Sequence, residues 1–327
     1  ERSGLADQPG GRDIIQDGNE QYRRRVRTAL QHLRAKGQAH RVRPGEWVIE
    51  GTRELPRRCL LVVLNGEPGQ AELVLGEAAR ILADVDEPID LIFADPPWAL
   101  KRATEAEAVN GYGRTYRRDH DKVMPGYVEV DPSQYAEFTE EWMCAAADVI
   151  RPGGYLAVIT GAQQAARIQV IGEDHAGLTY CNSIAVKRTM GMYATRRFVH
   201  QHNTVTLLTK GPLDSARRFF ERPAEMPRGA KGQVYAVAIW LDVPDPRRPG
   251  LLRYDNALNP LLVSRVVRSC TRPAELVADP FLGSGTTAVV ALREGRRFYG
   301  GDLNPESLRF TMGRILDEEQ PRLEEVA

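Results

Sequence analysis

The sequence predicts an open α/β fold, a mostly parallel sheet with helices on both faces. Three observations predict it. Glu275-Leu276-Val277 reads as a short strand, residues 278–287 as a Gly-rich turn, and Ala288-Val289-Val290-Ala291-Leu292 as an apolar helix. Ile89-Asp90-Leu91-Ile92-Phe93-Ala94 is an almost unbroken apolar run, as in a buried central strand, and it ends in the loop Asp95-Pro96-Pro97-Trp98. Tyr135, Phe138, Trp142, Ala145 and Val149 stand at helical spacing and lead through Arg151-Pro152-Gly153-Gly154 into the strand-like run Tyr155–Ile159. Open α/β sheets bind ligands at the carboxyl ends of their strands. Both turns are therefore candidate site segments.

Composition bounds the class. The chain has 327 residues, enough for one large domain and a smaller module. Lys and Arg number 44, and so do Asp and Glu, so the net charge is zero. Uniformly basic nucleic-acid binders are excluded, but a basic patch on one face is not. The four cysteines, Cys59, Cys144, Cys181 and Cys270, form no CxxC pair and no zinc spacing. Reduced thiols in a cytoplasmic protein are the expectation. No apolar run is long enough for a membrane span and no signal peptide is visible, so no membrane partner is expected.

Taken in order, residues 1–18 are polar. Tyr22, Val26, Leu30 and Leu33 then mark one face of a helix whose other faces carry Arg23, Arg24, Arg25, Arg27 and Arg34. That face suits nucleic acid, or is simply solvated while the apolar face docks. Trp47-Val48-Ile49 reads as a strand, and residues 1–58 as an Arg-rich accessory segment. Residues 60–64 read as a strand, 65–69 as a turn, and Ala71–Leu82 as a strand and a short helix.

After the Asp-Pro-Pro-Trp turn, residues 99–130 interleave Tyr112, Tyr116 and Tyr127 with Arg114, Arg117, Arg118 and Lys122. Aromatics among cations suit a nucleic-acid surface, and so long a loop beside a site reads as a lid. A plain surface insertion is the alternative. Asp131-Pro132-Ser133 reads as a helix start, Gly161–Arg167 as the start of the next helix, and Gly177–Lys187 as a strand. Arg196 and Arg197 precede a β-rich run, Asn203–Lys210. His200 and His202 have no third ligand nearby, so no metal is expected. Residues 214–250 are again basic, with Arg217 and Arg218, and Gln233–Leu241 is strand-like. Asn259-Pro260-Leu261 opens an apolar helix, and residues 317–327 form an acidic tail.

The chemistry of the two turns can be read separately. Gly283 and Gly285 allow the backbone to approach a ligand. A triphosphate loop needs Lys before Thr286, where Gly285 stands. Asp302 ends the strand-like run Arg297–Asp302, the position of an acid that holds a ribose diol. This half reads as a nucleoside-cofactor site without a triphosphate. In the other half, the Asp95 carboxylate and the Pro96 carbonyl can each accept an N–H. An exocyclic amine is a poor nucleophile because its lone pair is delocalised into the ring. Two acceptors hold it and favour its tetrahedral form. Pro97 stiffens the turn, and Trp98 can stack on a base.

The run Asp279-Pro280-Phe281-Leu282-Gly283-Ser284-Gly285-Thr286-Thr287, followed by Tyr299-Gly300-Gly301-Asp302-Leu303-Asn304-Pro305, resembles the cofactor half of amino-group DNA methyltransferases. Asp95-Pro96-Pro97-Trp98 resembles their catalytic half and comes first, the permuted, beta-like order. The resemblance implies a circularly permuted class I methyltransferase (Rossmann-like) fold over residues 59–316, with target recognition within 188–255. It implies S-adenosylmethionine as cofactor, held by Asp279, Pro280, Phe281, Gly283, Ser284, Gly285, Thr286, Asp302 and Asn304. Asn259, where the family commonly has His, lies in a segment implied to pack near the methionine end. His202-Asn203 stands where relatives often have His-Glu. The implied partner is double-stranded DNA, gripped by Arg114, Arg117, Arg118, Lys122, Arg196, Arg197, Arg217 and Arg218, and a homodimer is a further expectation. Asp as the first catalytic motif residue leans toward adenine N6. Cytosine N4, RNA or another amine, and an inactive nucleic-acid-binding protein are the alternatives.

Overall fold

The computed structural model describes residues 39–43, 46–49, 58–63, 69–99, 130–187, 201–215, 238–243 and 257–318. The chain divides into two compact units, Glu1–Cys59 and Leu60–Ala327. In the first, β1 (Ala39–Arg43) and β2 (Glu46–Ile49) pair antiparallel, with Trp47 opposite Arg41. The strand expected at Trp47–Ile49 is thus present. The expected helix around 22–33 lies outside the described residues.

The second unit is built on one sheet. Its strands are β3 (Arg58–Val63), β4 (Gly69–Leu75), β5 (Ile89–Ala94), β6 (Ile150–Gly161), β7 (Leu178–Lys187), β8 (His202–Lys210), β9 (Ile239–Trp240), β10 (Leu276–Asp279) and β11 (Arg297–Asp302). They lie in the order β3-β4-β11-β10-β5-β6-β8-β7-β9. Every pairing from β4 to β6 is parallel, β8 runs antiparallel to both β6 and β7, and β9 is parallel to β7.

The helices are α1 (Ala78–Ala83), α2 (Tyr135–Val149), α3 (Ala165–Asp174), α4 (Pro260–Cys270), α5 (Thr286–Arg293) and α6 (Pro305–Glu318). Helix α2 packs against both α1 and α3, and α5 against both α4 and α6. All six residues of β5 are buried, as a strand covered on both faces must be. Ile92 and Ala94 join the core with Ile81, Leu82, Trp142 and Met143 of α1 and α2. Alternation along the strand turns Leu91 and Phe93 to the other face, and α4 packs against β5.

Three local readings are corrected. Arg151–Gly154 is not a turn ahead of a strand: β6 already starts at Ile150, and Gly153, at φ +74°, bends within it. The β5–β6 register shifts between Ile89 and Leu91, absorbing that bend as an irregularity. Helix α2 starts at Tyr135, not at Asp131, because the Asp131 carboxylate accepts from the Ser133 N–H (2.8 Å) and hydroxyl (2.5 Å) and closes a side-chain turn first. Asp317 and Glu318, the first residues of the acidic tail, are helical and belong to α6. Of the strand-like stretch Gln233–Leu241, the described part forms only β9.

Candidate active site

Sheet order brings the two turns together. Strand β10 pairs with β5 through Val277–Leu91 and Ala278–Ile92, so Asp279 and Asp95 leave the same edge of the sheet on adjacent strands. Strand β11 flanks β10 on its other side and brings Asp302 to that edge. Gly301 makes the next packing possible: a Cβ there would lie 1.8 Å from the Val74 carbonyl oxygen of β4.

The loop after β10 is held by its own backbone. Asp279 is buried, and its Oδ1 accepts from the Phe281 N–H at 2.9 Å. The Leu282 N–H donates to the Gly301 carbonyl at 2.8 Å. The Asp302 carboxylate accepts from the Gly283 N–H and the Asn304 N–H, both at 2.8 Å. Gly285 sits at φ +74°, where a Cβ would fall 2.2 Å from the Thr311 hydroxyl oxygen, so conformation and space both demand glycine. Arg314 of α6 donates to the Ser284 carbonyl (2.6 Å) and the Thr286 hydroxyl (3.2 Å). Phe281 meets Trp142 edge-on, ring centroids 5.2 Å apart, and Phe138 at 6.0 Å. The aromatic stripe of α2 is core, as its spacing suggests, and it also carries the cofactor-like loop.

Charge sets what this loop can hold. Burial pushes the Asp279 carboxyl up to about 7, the nearby Asp302 carboxylate adding to the effect and the Phe281 N–H opposing it. Burial also raises Asp302, against the N–H groups of Asn304 and Gly283. Two carboxyls and an apolar, exposed Leu303 border the loop. The Arg314 guanidinium is engaged on Ser284 and Thr286. Around Gly283, at φ +50°, a Cβ would meet nothing nearer than the Phe281 carbonyl oxygen at 3.7 Å, so the backbone there is open to a ligand. An acid at the end of β11, apolar surface and open backbone fit a nucleoside, such as S-adenosylmethionine has. They do not fit a polyphosphate.

At the end of β5, Pro96 is buried while Asp95, Pro97 and Trp98 are partly exposed. The Trp98 indole N–H donates to Asp95 Oδ1 at 3.1 Å. The Trp98 carbonyl accepts from Gln164 Nε2 at 3.1 Å. The sequence reading gives Trp98 a stacking part only and misses both bonds. One signal was available: the tryptophan indole brings an N–H donor and no acceptor. Gln164 carried none.

Other expected site residues fall differently. Asn259 is the N-cap of α4, its Oδ1 accepting from the Leu261 N–H at 2.8 Å. Asn304 Oδ1 accepts from the Glu306 N–H at 3.0 Å at the start of α6. Both side chains therefore start helices, and Asn304 does so two residues beyond Asp302, whose carboxylate accepts its N–H. Arg114, Arg117, Arg118, Lys122, Arg196, Arg197, Arg217 and Arg218 lie outside the described residues, as do most of 99–130 and 188–255. Among the described residues no three His, Cys, Asp or Glu side chains cluster as a metal site, and no helix is long and apolar enough to cross a membrane.

Comparison with known proteins agrees with this fold. The N6_N4_Mtase family model, described as DNA methylase, matches residues 89–312. The Type II methyltransferase M.HpaI of Haemophilus parainfluenzae is 26% identical over 256 residues, covering 75% of this chain and 74% of that protein. The Type II methyltransferase M2.DpnII of Streptococcus pneumoniae is 25% identical over 244 residues, covering 72% of this chain and 85% of that protein. In fold, the chain is similar to the PvuII DNA methyltransferase (cytosine-N4-specific), with a TM-score of 0.57 at 18% identity over 77% of this chain and 88% of that one. It is also similar to the M1.HpyAVI–SAM complex, with a TM-score of 0.53 at 18% identity over 75% of this chain and 98% of that one. The family match spans both turns and most of the sheet between them, and the chain belongs to the N6/N4 DNA methylase family.

Proposed function

We propose that this protein transfers a methyl group from S-adenosylmethionine to the exocyclic N6 of adenine in double-stranded DNA. The observation that carries the reading is the register of β5 and β10, which sets the Asp95 turn beside the Asp279–Thr286 turn at one sheet edge. The cofactor, when bound, supplies an electrophilic methyl group. The chain's own residues do the rest. Asp279, Phe281, Gly283 and Gly285 shape the pocket, Asp302 receives the ribose hydroxyls, and Ser284, Thr286, Asn259 and Asn304 stiffen its rim. Asp95 accepts one N–H of the amine and the Pro96 carbonyl accepts the other. Those two bonds draw the lone pair toward tetrahedral geometry, and Asp95 is the acceptor for the proton that the methylated nitrogen sheds.

Adenine N6 is inaccessible inside a duplex, so the base must leave the stack, at a cost of a few kcal/mol. Stacking on Trp98 offsets roughly 1–3 kcal/mol of that. Residues 99–130 act as a lid over the extruded base, 188–255 contribute to target recognition, and 1–58 form an accessory module. The basic residues of these segments grip phosphates, which positions the duplex without reading its sequence.

Asp95 as the first motif residue favours adenine, since the resembled cytosine-directed enzymes more often carry Ser there. The clamp itself serves either amine. Mass spectrometry of nucleosides from unmethylated genomic DNA, after treatment with isotopically labelled cofactor, separates the two. Label in N6-methyladenine is the expected result. Label in N4-methylcytosine refutes the base while keeping the mechanism, and label only in RNA added alongside refutes the substrate class.

A further inference from the structure

We infer that Gln164 is a positioning residue for the transfer reaction: it fixes the backbone of Trp98, and through the Trp98 indole it orients the Asp95 carboxylate. The inference rests on the amine-methylating role of Asp95 proposed above. Gln164 lies at the start of α3, far from the catalytic turn in sequence, yet its side chain is almost fully buried against that turn. Its Nε2 donates to the Trp98 carbonyl at 3.1 Å, and the indole N–H of the same residue donates to Asp95 Oδ1 at 3.1 Å. Gln164 thus holds the residue that holds the carboxylate.

Two further features make the arrangement specific. Arg167 Nη1 donates to Gln164 Oε1 at 3.4 Å, so the amide presents its nitrogen, not its oxygen, to Trp98. Gly161 lies under the indole: a Cβ there would come 3.3 Å from Trp98 Cε3. The Gly161 carbonyl also accepts from the Gln164 N–H at 2.9 Å. One turn after β6 therefore supports the ring from below and ties the backbone from the side. Ala99, the next residue, is held at φ +53° and buried. A non-glycine residue keeps that conformation only where its surroundings fix it, and the Gln164 bond falls on the peptide group that joins Trp98 to Ala99.

A carboxylate moved by a fraction of an ångström no longer aligns the amine lone pair with the incoming methyl. Misplacement of about 1 Å costs about 10²-fold in rate. Gln164→Met fills about the same volume without a donor, so packing is kept while the tie to Trp98 is lost, together with the long bond from the exposed Arg167. In single-turnover methyl transfer to unmethylated genomic DNA, Gln164→Met is expected to slow the chemical step about tenfold. Cofactor Kd and Tm should stay close to wild type. In a Trp98→Phe background, which lacks the indole N–H, the same substitution should add little, because the two act as a unit.

A second measurement needs neither DNA nor cofactor. The protein has four tryptophans, and the Trp98 indole N–H signal is the one missing from the NMR spectrum of Trp98→Phe. Its hydrogen exchange should quicken about fivefold in Gln164→Met, as a locally loosened turn requires. Unchanged exchange overturns the inference, and so does a rate loss that adds fully to that of Trp98→Phe. If wild type methylates nothing, the proposed reaction fails, and the exchange measurement still decides whether Gln164 holds the turn.

Discussion

Asp279→Asn gives a stability effect whose pH dependence follows from one buried carboxyl. Its folded value is raised from 3.8 to about 7, chiefly by burial. Between those values the folded state binds more protons than the unfolded state, so stability falls as pH rises. The contribution is fully present below the unfolded value and is lost on rising through about pH 7. A rise of that size corresponds to about 4 kcal/mol lost above that pH, of which about two-fifths is already gone by about pH 5. Asparagine carries no charge at any pH and still offers an oxygen to the Phe281 N–H. Its stability relative to wild type should therefore improve by about 2–3 kcal/mol between about pH 5 and about pH 8. Any fixed cost of placing the new amide N–H₂ cancels in that difference. Denaturant unfolding of the cofactor-free proteins across this range measures it. A difference between the two proteins that does not change with pH refutes the argument that Asp279 titrates in a buried site.

Three other outcomes are expected. Gly285→Ala should cost about 1–2 kcal/mol from the left-handed backbone alone, before the overlap with Thr311. Thr311→Ser should not rescue it, because the Thr311 Cβ itself lies 2.7 Å from the new methyl; an unchanged Tm contradicts this loop geometry. Asn259→Ala should cost about 1 kcal/mol of stability, the value of a helix N-cap, and Asn259→Ser should recover it; a Ser variant as unstable as Ala refutes the capping role. Reversing Arg117 and Arg118 to Glu should weaken binding to any duplex alike and flatten its dependence on salt by about one to two counterions, and a loss confined to one DNA sequence contradicts phosphate contact.

The motifs were legible in the sequence because their constraints are local. Two glycines within three residues, an acid ending the next strand and two prolines after an aspartate each act through a few bonds. Helix α4 was legible from Asn259-Pro260, a capping residue followed by proline. Pairings made across the chain were not legible. Nothing near Trp98 announces Gln164, 66 positions away, and nothing in the Gly-rich turn announces Arg314, which braces it from α6. The insertion of β10 between β11 and β5 is likewise a property of the whole sheet. Local errors came from competing short-range bonds. Asp131 looked like a helix start and instead closes a turn on Ser133, and Pro152-Gly153-Gly154 looked like a break and is carried within β6.

The decisive residue is Asp95. It lies at the end of β5, beside the loop that begins at Asp279, and both proposed amine contacts depend on that position. The measurement is methyl incorporation into unmethylated genomic DNA by wild type and Asp95→Ala, with cofactor affinity determined calorimetrically on the same preparations. Asp95→Ala is expected to lose at least about 10²-fold in rate, as when a group acting on the reacting atom is removed, and to bind the cofactor nearly as wild type does. An Asp95→Ala variant that methylates DNA at the wild-type rate would contradict the proposed role of Asp95.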